Sequence, residues 1–165
     1  MTDVIIDTNV AVVANRQNPE VCENCIDACI KFLIAAQADC VVLLDSGDEI
    51  RKEYADALHQ RRPFELGTQF LIYVYQNQFN TARVRRIDLA KDAAGAFVAF
   101  PNSPDLIGFD DDDRKFAALA RNTGTPVTNA TDSDWANFRA ALLANGIEVN
   151  FLCGCDPSRW FKENP

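Results

Sequence analysis

Short apolar runs that end at an acidic residue recur along this chain, separated by stretches with helical spacing. Residues 4–6 end at Asp7, and residues 41–44 end at Asp45. Continuous apolar runs of this length are typical of strands that are buried on both faces of a parallel sheet. Two later short runs predict further strands at residues 126–128 and 147–151. Strands that alternate with helices predict an α/β fold, layered around a parallel sheet with right-handed crossovers.

The stretches between these runs carry helical signals. We expect helices over residues 20–37, 49–59, 65–79, 110–122 and 132–144. The third of them places four apolar residues at the spacing of a core-facing stripe: Leu66, Phe70, Val74 and Phe79. Residues 80–100 show no clear periodicity. The chain has 165 residues, without repeats or a low-complexity linker, which predicts one domain.

Charge and motif content exclude several kinds of protein. The chain has 24 acidic residues against 16 Lys and Arg, a net charge of −8, which disfavours non-specific nucleic-acid binding. No apolar run approaches the roughly 20 residues of a membrane helix, and the N-terminus lacks a basic signal-peptide segment, so we expect a cytoplasmic protein without a membrane partner. The glycine-rich motifs of Rossmann and P-loop nucleotide sites are absent. His59 is the only histidine.

The chain has six cysteines, and a cytosolic protein would not use them as a disulfide framework. Cys22, Cys25 and Cys29 have the spacing of one helix face. Because a free buried cysteine behaves as a small apolar side chain, we expect this stripe to pack in the core. The alternative is a zinc site that combines the stripe with Cys40, or with Cys153 and Cys155.

Acidic residues are the remaining groups with obvious chemistry. They follow predicted strands or begin predicted helices: Asp7, Glu53, Asp113, Asp132 and Asp134. Since the carboxyl ends of parallel strands meet at one edge of the sheet, we expect these side chains to converge there. Carboxylates cluster only when a cation neutralises them or when they bind protons. Oxygen ligands alone suit Mg²⁺ or Mn²⁺, and such ions activate water for displacement at phosphorus.

Four motifs in this chain resemble those of PIN-domain nucleases. They are VIIDTNV at residues 4–10, IRKEY at 50–54, DRKFAALA at 113–120 and TDSDW at 131–135. Their order, spacing and strand-or-helix context agree with the family over most of residues 4–150. The resemblance makes residues 1–150 a PIN-like nuclease domain and residues 151–165 a C-terminal extension of the same domain.

Membership of that family implies a three-layer α/β/α sandwich with a central parallel sheet. It also implies a metal-dependent endoribonuclease, which hydrolyses RNA with Mg²⁺ or Mn²⁺ and leaves 5′-phosphate and 3′-hydroxyl ends. Many bacterial members are toxins of the VapC type, so the implied partners are RNA, an antitoxin protein and a second copy of the chain in a homodimer.

Site residues carry over from the motifs position by position. The catalytic, metal-binding quartet would be Asp7, Glu53, Asp113 and Asp132. Asp134 would be an additional metal ligand, while Thr8 and Asn9 would support the first motif by hydrogen bonding. The RNA backbone would be contacted by basic residues from the middle third of the chain: Arg51, Lys52, Arg61, Arg62, Arg83, Arg85 and Arg86.

Two positions of the quartet have a competing acid. Asp112 competes with Asp113, which we prefer because apolar residues then lie one and two turns later on its helix. Glu49 competes with Glu53, which we prefer because an acid in the first helical turn, such as Glu49, is explained by the helix dipole. Ala130 stands where many relatives have Ser or Thr, two residues before the fourth acid.

Two other functions compete with the nuclease hypothesis. A catalytically silent PIN-fold protein would act as an RNA-binding or protein-interaction scaffold, but all four motifs here carry an acid. A phosphate-handling regulator that resembles a receiver domain would use Asp7 and Asp45 as its acidic pocket. Residues 126–130 contain no lysine for that role, so we rank it last.

Overall fold

A central sheet of five parallel strands organises the molecule in this computed structural model, which describes residues 1–58, 62–154 and 156–161. The strands in chain order are β1 (Thr2–Ile6), β2 (Cys40–Asp45), β3 (Val84–Ile87), β4 (Val127–Asn129) and β5 (Val149–Phe151). Their order across the sheet is β3-β2-β1-β4-β5, and every neighbouring pair is parallel. The chain adds β2 and β3 on one side of β1, and β4 and β5 on the other. In sheets of this kind, ligands bind at the carboxyl ends of the strands where the order reverses, which here are β1 and β4.

Seven α-helices pack around the sheet in the described residues. They are α1 (Thr8–Ala14), α2 (Glu23–Asp39), α3 (Glu49–Ala57), α4 (Leu66–Asn77), α5 (Arg114–Thr123), α6 (Ser133–Asn137) and α7 (Arg139–Ala144). Helices α1, α2 and α4 pack on one another, while α5 packs on β1, β2 and β4. The predicted three-layer α/β/α sandwich is therefore confirmed.

The central strands explain why their sequences are continuously apolar. Ile5 and Ile6 of β1 are fully buried, and residues 41–44 of β2 are almost as inaccessible. Because helices cover both faces of these strands, alternating polar residues would be left without water or partners. No helix in the described part of the chain is long and apolar enough to cross a membrane.

The structure departs from the sequence predictions in four places. Helix α1 was not predicted, because its seven residues directly follow a strand and read as a continuation of its apolar run. The unassigned residues 80–100 contain β3, whose apolar pattern is interrupted by two arginines. The helix predicted over residues 132–144 is divided at Phe138 into α6 and α7. The core position predicted for Phe79 is wrong: the chain leaves α4 at Asn77, and Phe79 is 85% exposed.

The described C-terminal residues fold back onto the start of α2. Val21 and Phe161 form an isolated antiparallel bridge, and the Cys22 N–H donates to the Trp160 carbonyl at 3.1 Å. The Trp160 ring is buried and stacks on Phe151 with centroids 5.9 Å apart. The described C-terminal residues thus pack against the same core as the sheet.

Candidate metal centre

Three acidic residues meet at the carboxyl edge of the sheet. Asp7 follows β1, Asp132 lies just beyond β4, and Asp113 immediately precedes α5, which packs across both strands. One carboxylate oxygen of each lies within 4.8 Å of one oxygen of the other two. We call Asp7, Asp113 and Asp132 the acidic triad. The expectation that strand ends would bring these side chains together matches this geometry.

Asp7 is fixed by two hydrogen bonds and has almost no contact with solvent. Its Oδ1 accepts from the backbone N–H of Asn9 at 2.8 Å, and its Oδ2 accepts from Trp135 Nε1 at 2.7 Å. Burial, together with the negative charges of Asp132 and Glu53, raises the pKa of Asp7 to about 7, although its two hydrogen bonds act in the opposite direction. Asp7 is therefore held in one orientation in an environment that disfavours its own charge.

Asp113 carries the clearest sign of a missing partner. It is only 8% exposed and its Oδ2 has no hydrogen-bond partner among the described residues. It stands at the N-cap of α5 but makes no capping bond. Burial, followed by the charges of Asp7 and Asp132, raises the pKa of Asp113 to about 9. A buried carboxyl oxygen without a partner is costly, and a cation would supply one.

Asp132 completes the triad from the N-cap of α6. Its Oδ1 accepts from the backbone N–H of Asp134 at 2.9 Å, and burial raises the pKa of Asp132 above its usual value. Asp134 belongs to a second group of oxygens, with Asp110 and Asp113, that also lie within 4.8 Å of one another. Asp113 is common to both groups, so the acidic surface extends outward from the triad. Asp110 was not singled out from the four consecutive aspartates.

Glu53 lies beside the triad but is held by other groups. Its carboxylate accepts a hydrogen bond from the Thr8 hydroxyl and forms an ion pair with Lys115. Its charge nevertheless contributes to the raised pKa values of Asp7 and Asp113. A ligand role for Glu53 stays a prediction, because its oxygens do not group with the triad in the described residues.

Neither competing acid groups with the triad among the described residues. Asp112 is exposed, whereas its neighbour Asp113 is buried against Asp7. Glu49 stands in the first turn of α3 and pairs with Lys91. The backbone N–H groups of Glu49 and Ile50 donate to Asp45 at 2.9 and 2.8 Å, so both oxygens of Asp45 serve the start of α3.

An amide pair connects the loops that carry Asp7 and Asp132. Asn9 Nδ2 donates to Asn129 Oδ1 at 2.7 Å, and Asn9 Oδ1 accepts from the Ala130 N–H at 2.7 Å. Asn129 in turn accepts from the Asp132 N–H at 3.2 Å and donates to its carbonyl at 3.0 Å. The distance between the two acids is therefore fixed by side chains as well as by strand pairing.

Sequence reasoning missed three residues of this site: Asn129, Trp135 and Lys115. Asn129 is the last residue of β4, so the strand-end argument that identified the acids also applies to it. The Trp135 indole is fully buried in the core, and it also donates a hydrogen bond that orients Asp7. Lys115 had no sequence signal, because its contact with Glu53 joins two distant helices.

The basic residues predicted to contact RNA are dispersed. Arg83 donates to the Ala38 carbonyl, and Arg85 pairs with Asp3, both toward the amino end of the sheet. The others lie nearer α3: Arg51 and Arg86 both pair with Asp48, Arg62 pairs with Glu65, and Lys52 lines a cleft with Glu53 and Lys115. Arg61 lies outside the described residues. Their role in RNA binding stays a prediction.

Trp135→Phe tests whether the indole N–H orients Asp7 for a metal ion. We expect Mn²⁺ affinity to fall by roughly 10-fold or more, since partners that orient a metal ligand typically contribute that much. The Trp135 ring packs edge-on against Phe109, with ring centroids 5.1 Å apart. Phe keeps an aromatic ring at this position and removes the N–H donor. Titration with Mn²⁺ measures the effect. Trp160→Phe is the matched control, because its buried Nε1 has no partner in the described residues; an equal loss there would contradict the proposed role.

The fold has distant likenesses among solved structures. No family model and no curated protein matches this chain. The structure of VapBC2 from Rickettsia felis bound to a DNA fragment from their promoter aligns with 91% of this chain and 98% of that chain, at 11% identity and a TM-score of 0.44. A domain of a functionally unknown protein from Methanocaldococcus jannaschii aligns over 94% of both chains, at 16% identity and a TM-score of 0.45. Because both TM-scores are below 0.5, function is inferred from the side chains of this chain alone.

Proposed function

We propose that this chain is a metal-dependent endoribonuclease of the PIN type, with Asp7, Asp113 and Asp132 as the core of its metal site. The observation that carries the proposal is the acidic triad: three carboxylates, two of them buried, converge, and one buried oxygen of Asp113 has no partner among the described residues. A purely structural cluster of this kind would be destabilising without a cation or protons. The donor set consists only of oxygens, which suits Mg²⁺ or Mn²⁺.

The residues around the triad have separable tasks in this proposal. A divalent ion held there would activate water and neutralise charge that develops on phosphate oxygens. Trp135 and Asn9 hold Asp7 in place, and Asn129 holds the loop of Asp132. Thr8 and Lys115 hold Glu53 at the rim, from where it could act as a further ligand after its ion pair opens.

RNA would approach along the cleft beside α3. This cleft is lined by Glu49, Lys52, Glu53, Asp56, Ala57, Asp112 and Lys115. Lys52 is exposed there and is available for a phosphate, whereas Arg51 and Arg86 are engaged by Asp48. The protein has a net charge of −8. It would therefore hold the RNA backbone through the bound metal ion and a small number of basic side chains.

The Lys115–Glu53 pair favours one alternative, a catalytically silent RNA-binding scaffold. Lys115 is 8% exposed, and its ammonium group neutralises Glu53 without any metal ion. In a scaffold, the Lys115 ammonium group would supply part of the positive charge that a metal ion supplies in a nuclease. The two functions differ in metal dependence. A chelator should stop RNA cleavage by the nuclease, whereas it should leave RNA binding by the scaffold unchanged.

Cleavage of labelled single-stranded RNA tests the proposal, with Asp7→Asn as the main variant. We expect cleavage with Mn²⁺ or Mg²⁺, none with excess chelator, and a loss of about 100-fold or more in Asp7→Asn, since an ion at such a site contributes several kcal/mol. Asn has a single acceptor oxygen, so it keeps only one of the two hydrogen bonds that Asp7 accepts from Asn9 and Trp135. Circular dichroism of the variant therefore checks that it remains folded before the assay.

Asp27→Asn, an exposed acid on α2, is the matched control and should retain activity. Single-stranded DNA of the same sequence serves as a substrate control, and we expect it to remain intact. Cleavage that persists in Asp7→Asn at the wild-type rate would indicate a contaminating nuclease. A folded wild-type protein that cuts no RNA with either metal would favour the scaffold. An antitoxin partner and a homodimer stay predictions of the sequence resemblance.

A further inference from the structure

A buried lysine stands beside the acidic triad, in a place that its own helix does not favour. Lys115 is the second residue of α5, where the helix dipole repels a cation. Its ammonium group forms an ion pair with Glu53 and donates to the Asp112 carbonyl. Because a buried lysine without partners is strongly destabilising, Lys115 depends on these contacts. The position of its charge is therefore explained by Glu53 and not by α5.

Glu53 has a partner for each of its carboxylate oxygens. Its Oε1 accepts from the hydroxyl of Thr8, the first residue of α1, and its Oε2 pairs with Lys115. Asp113 differs, because its buried Oδ2 has no partner among the described residues. The charge of Glu53 is thus already offset by the protein, whereas the acidic triad still requires a cation or protons.

Glu53 is nevertheless close enough to the triad to compete for the same cation. After burial and the charges of other acids, its charge contributes to the raised pKa values of Asp7 and Asp113. Helix α3, which carries Glu53, packs on α5, which begins directly after Asp113. A carboxylate in this position would be attracted to a divalent ion at the triad if it had no other partner. Lys115 and the metal ion therefore compete for Glu53.

We propose that Lys115 is a positioning residue that holds Glu53 as its own counter-ion and so keeps Glu53 from binding the metal ion. The divalent ion is then held by Asp7, Asp113 and Asp132, and Lys115 supplies a second, fixed positive charge on the side of the cleft. Lys115 and one divalent ion together neutralise three of the four charges on these carboxylates. The inference rests on the metal centre of the proposed function, but not on RNA cleavage.

The opposite role for Lys115, support of Glu53 as a metal ligand, predicts an effect of opposite sign. If Lys115 oriented Glu53 toward the ion, its removal would weaken metal binding by roughly 10-fold or more, as for other partners of metal ligands. If Lys115 withholds Glu53, its removal releases a ligand and strengthens metal binding. The sign of the change in metal affinity therefore distinguishes the two roles.

Titration of Lys115→Met with Mn²⁺ measures this sign. Methionine has nearly the length of the lysine stem and no charge. We expect Mn²⁺ to bind about 10-fold more tightly to Lys115→Met, because a negative ligand is released and a positive charge is removed. In the double variant Lys115→Met/Glu53→Gln the released carboxylate is absent, so the affinity should return to within about threefold of the wild type.

Two further variants separate the contact from the charge. Lys115→Arg keeps a cation beside Glu53 and should bind Mn²⁺ about as tightly as the wild type. Lys52→Met is the matched control for charge alone, since Lys52 is exposed and lines the same cleft. Its removal should change Mn²⁺ affinity by less than about twofold, because water and salt screen exposed charges.

The cysteines should not contribute to these titrations. The groups of possible metal ligands among the described residues consist of aspartates, and no cysteine belongs to them. Cys25 and Cys29 are buried in the core, as their spacing predicts. Cys155 lies outside the described residues. Because Mn²⁺ prefers oxygen ligands to sulfur, the measured affinity reports the carboxylates.

Thermal unfolding of the same variants gives a readout that requires neither RNA nor activity. With chelator, Lys115→Met should have a Tm lower than that of the wild type by roughly 4 °C or more, because Glu53 is left beside other acids without its cation. Added Mn²⁺ should raise the Tm of Lys115→Met more than that of the wild type, since the variant binds the ion more tightly.

The possible outcomes separate this inference from the metal centre itself. Mn²⁺ binding that is equal or weaker in Lys115→Met, with binding to the wild type intact, would overturn the role of Lys115 and leave the metal centre standing. A gain in affinity that persists in Lys115→Met/Glu53→Gln would also overturn it, because Glu53 would then not be the released ligand. A wild type that binds no Mn²⁺ would overturn both the metal centre and the inference.

Discussion

Asp113→Asn is expected to abolish metal-dependent RNA cleavage while making the metal-free protein more stable. Asp113 is buried among other acids and one of its oxygens lacks a partner in the described residues. At pH 8 the metal-free wild type must therefore bury a charge or take up a proton, whereas Asn does neither. We expect a gain of about 2 kcal/mol in the free energy of unfolding, or roughly 4–8 °C in Tm. Activity should fall by about 10³-fold.

Thermal unfolding with chelator and cleavage assays with Mn²⁺ measure the two effects on the same preparations. Asp111→Asn is the matched control, because Asp111 is two positions away, strongly exposed and paired with Arg114 at the surface. It should change Tm little, since such pairs contribute about 0–1 kcal/mol. If Asp113 stabilised the fold by itself, its replacement by Asn would lower Tm. A lower Tm in Asp113→Asn would therefore contradict the assignment of Asp113 as a metal ligand.

The stability of the metal-free protein should fall as pH rises from about 4 to about 9. The pKa values of Asp7 and Asp113 are raised to about 7 and about 9 in the folded chain, above the 3.8 of an ordinary aspartate. Below pH 4 these carboxyls are protonated in both states. Between pH 4 and the raised values only the folded chain keeps its protons, so each rise in pH favours unfolding. We expect a loss of about 2 kcal/mol or more across this window.

Divalent metal should reverse this trend, because a bound cation stabilises the ionised form. Chemical denaturation at several pH values, with chelator or with Mn²⁺, measures the slope in each condition. The stabilisation by Mn²⁺ should be small near pH 5 and grow toward pH 9. Asp7→Asn should flatten the slope of the chelated protein. A chelated wild type that becomes more stable from pH 5 to pH 8 would contradict raised carboxyl pKa values.

The carboxyl edge of the sheet was predictable because its signals are local. Asp7 directly follows an apolar strand, and Asp132 begins a helix after another, so parallel topology alone brings them together. Asp113 was harder to identify from the sequence, because four consecutive aspartates precede the same helix. Burial distinguishes them, and burial depends on how α5 packs on the sheet.

Other features depend on contacts between distant parts of the chain and could not be predicted from local patterns. The Trp135 indole reaches Asp7 across 128 positions, and Lys115 reaches Glu53 from another helix. Cys153 lines a cavity with Cys22 and Cys25 because the described C-terminal residues fold back onto the start of α2. Helix α1 was missed for a different reason: its short apolar sequence is equally compatible with a continued strand.

Titration of the wild-type protein with Mn²⁺, followed by electron paramagnetic resonance of the free ion, tests the metal centre most directly. The acidic triad predicts saturable binding at pH 8 that Mg²⁺ displaces and that is lost in Asp113→Asn but kept in Asp111→Asn. Wild-type protein that binds no Mn²⁺, or Asp113→Asn that binds it equally well, would contradict a metal centre at the triad.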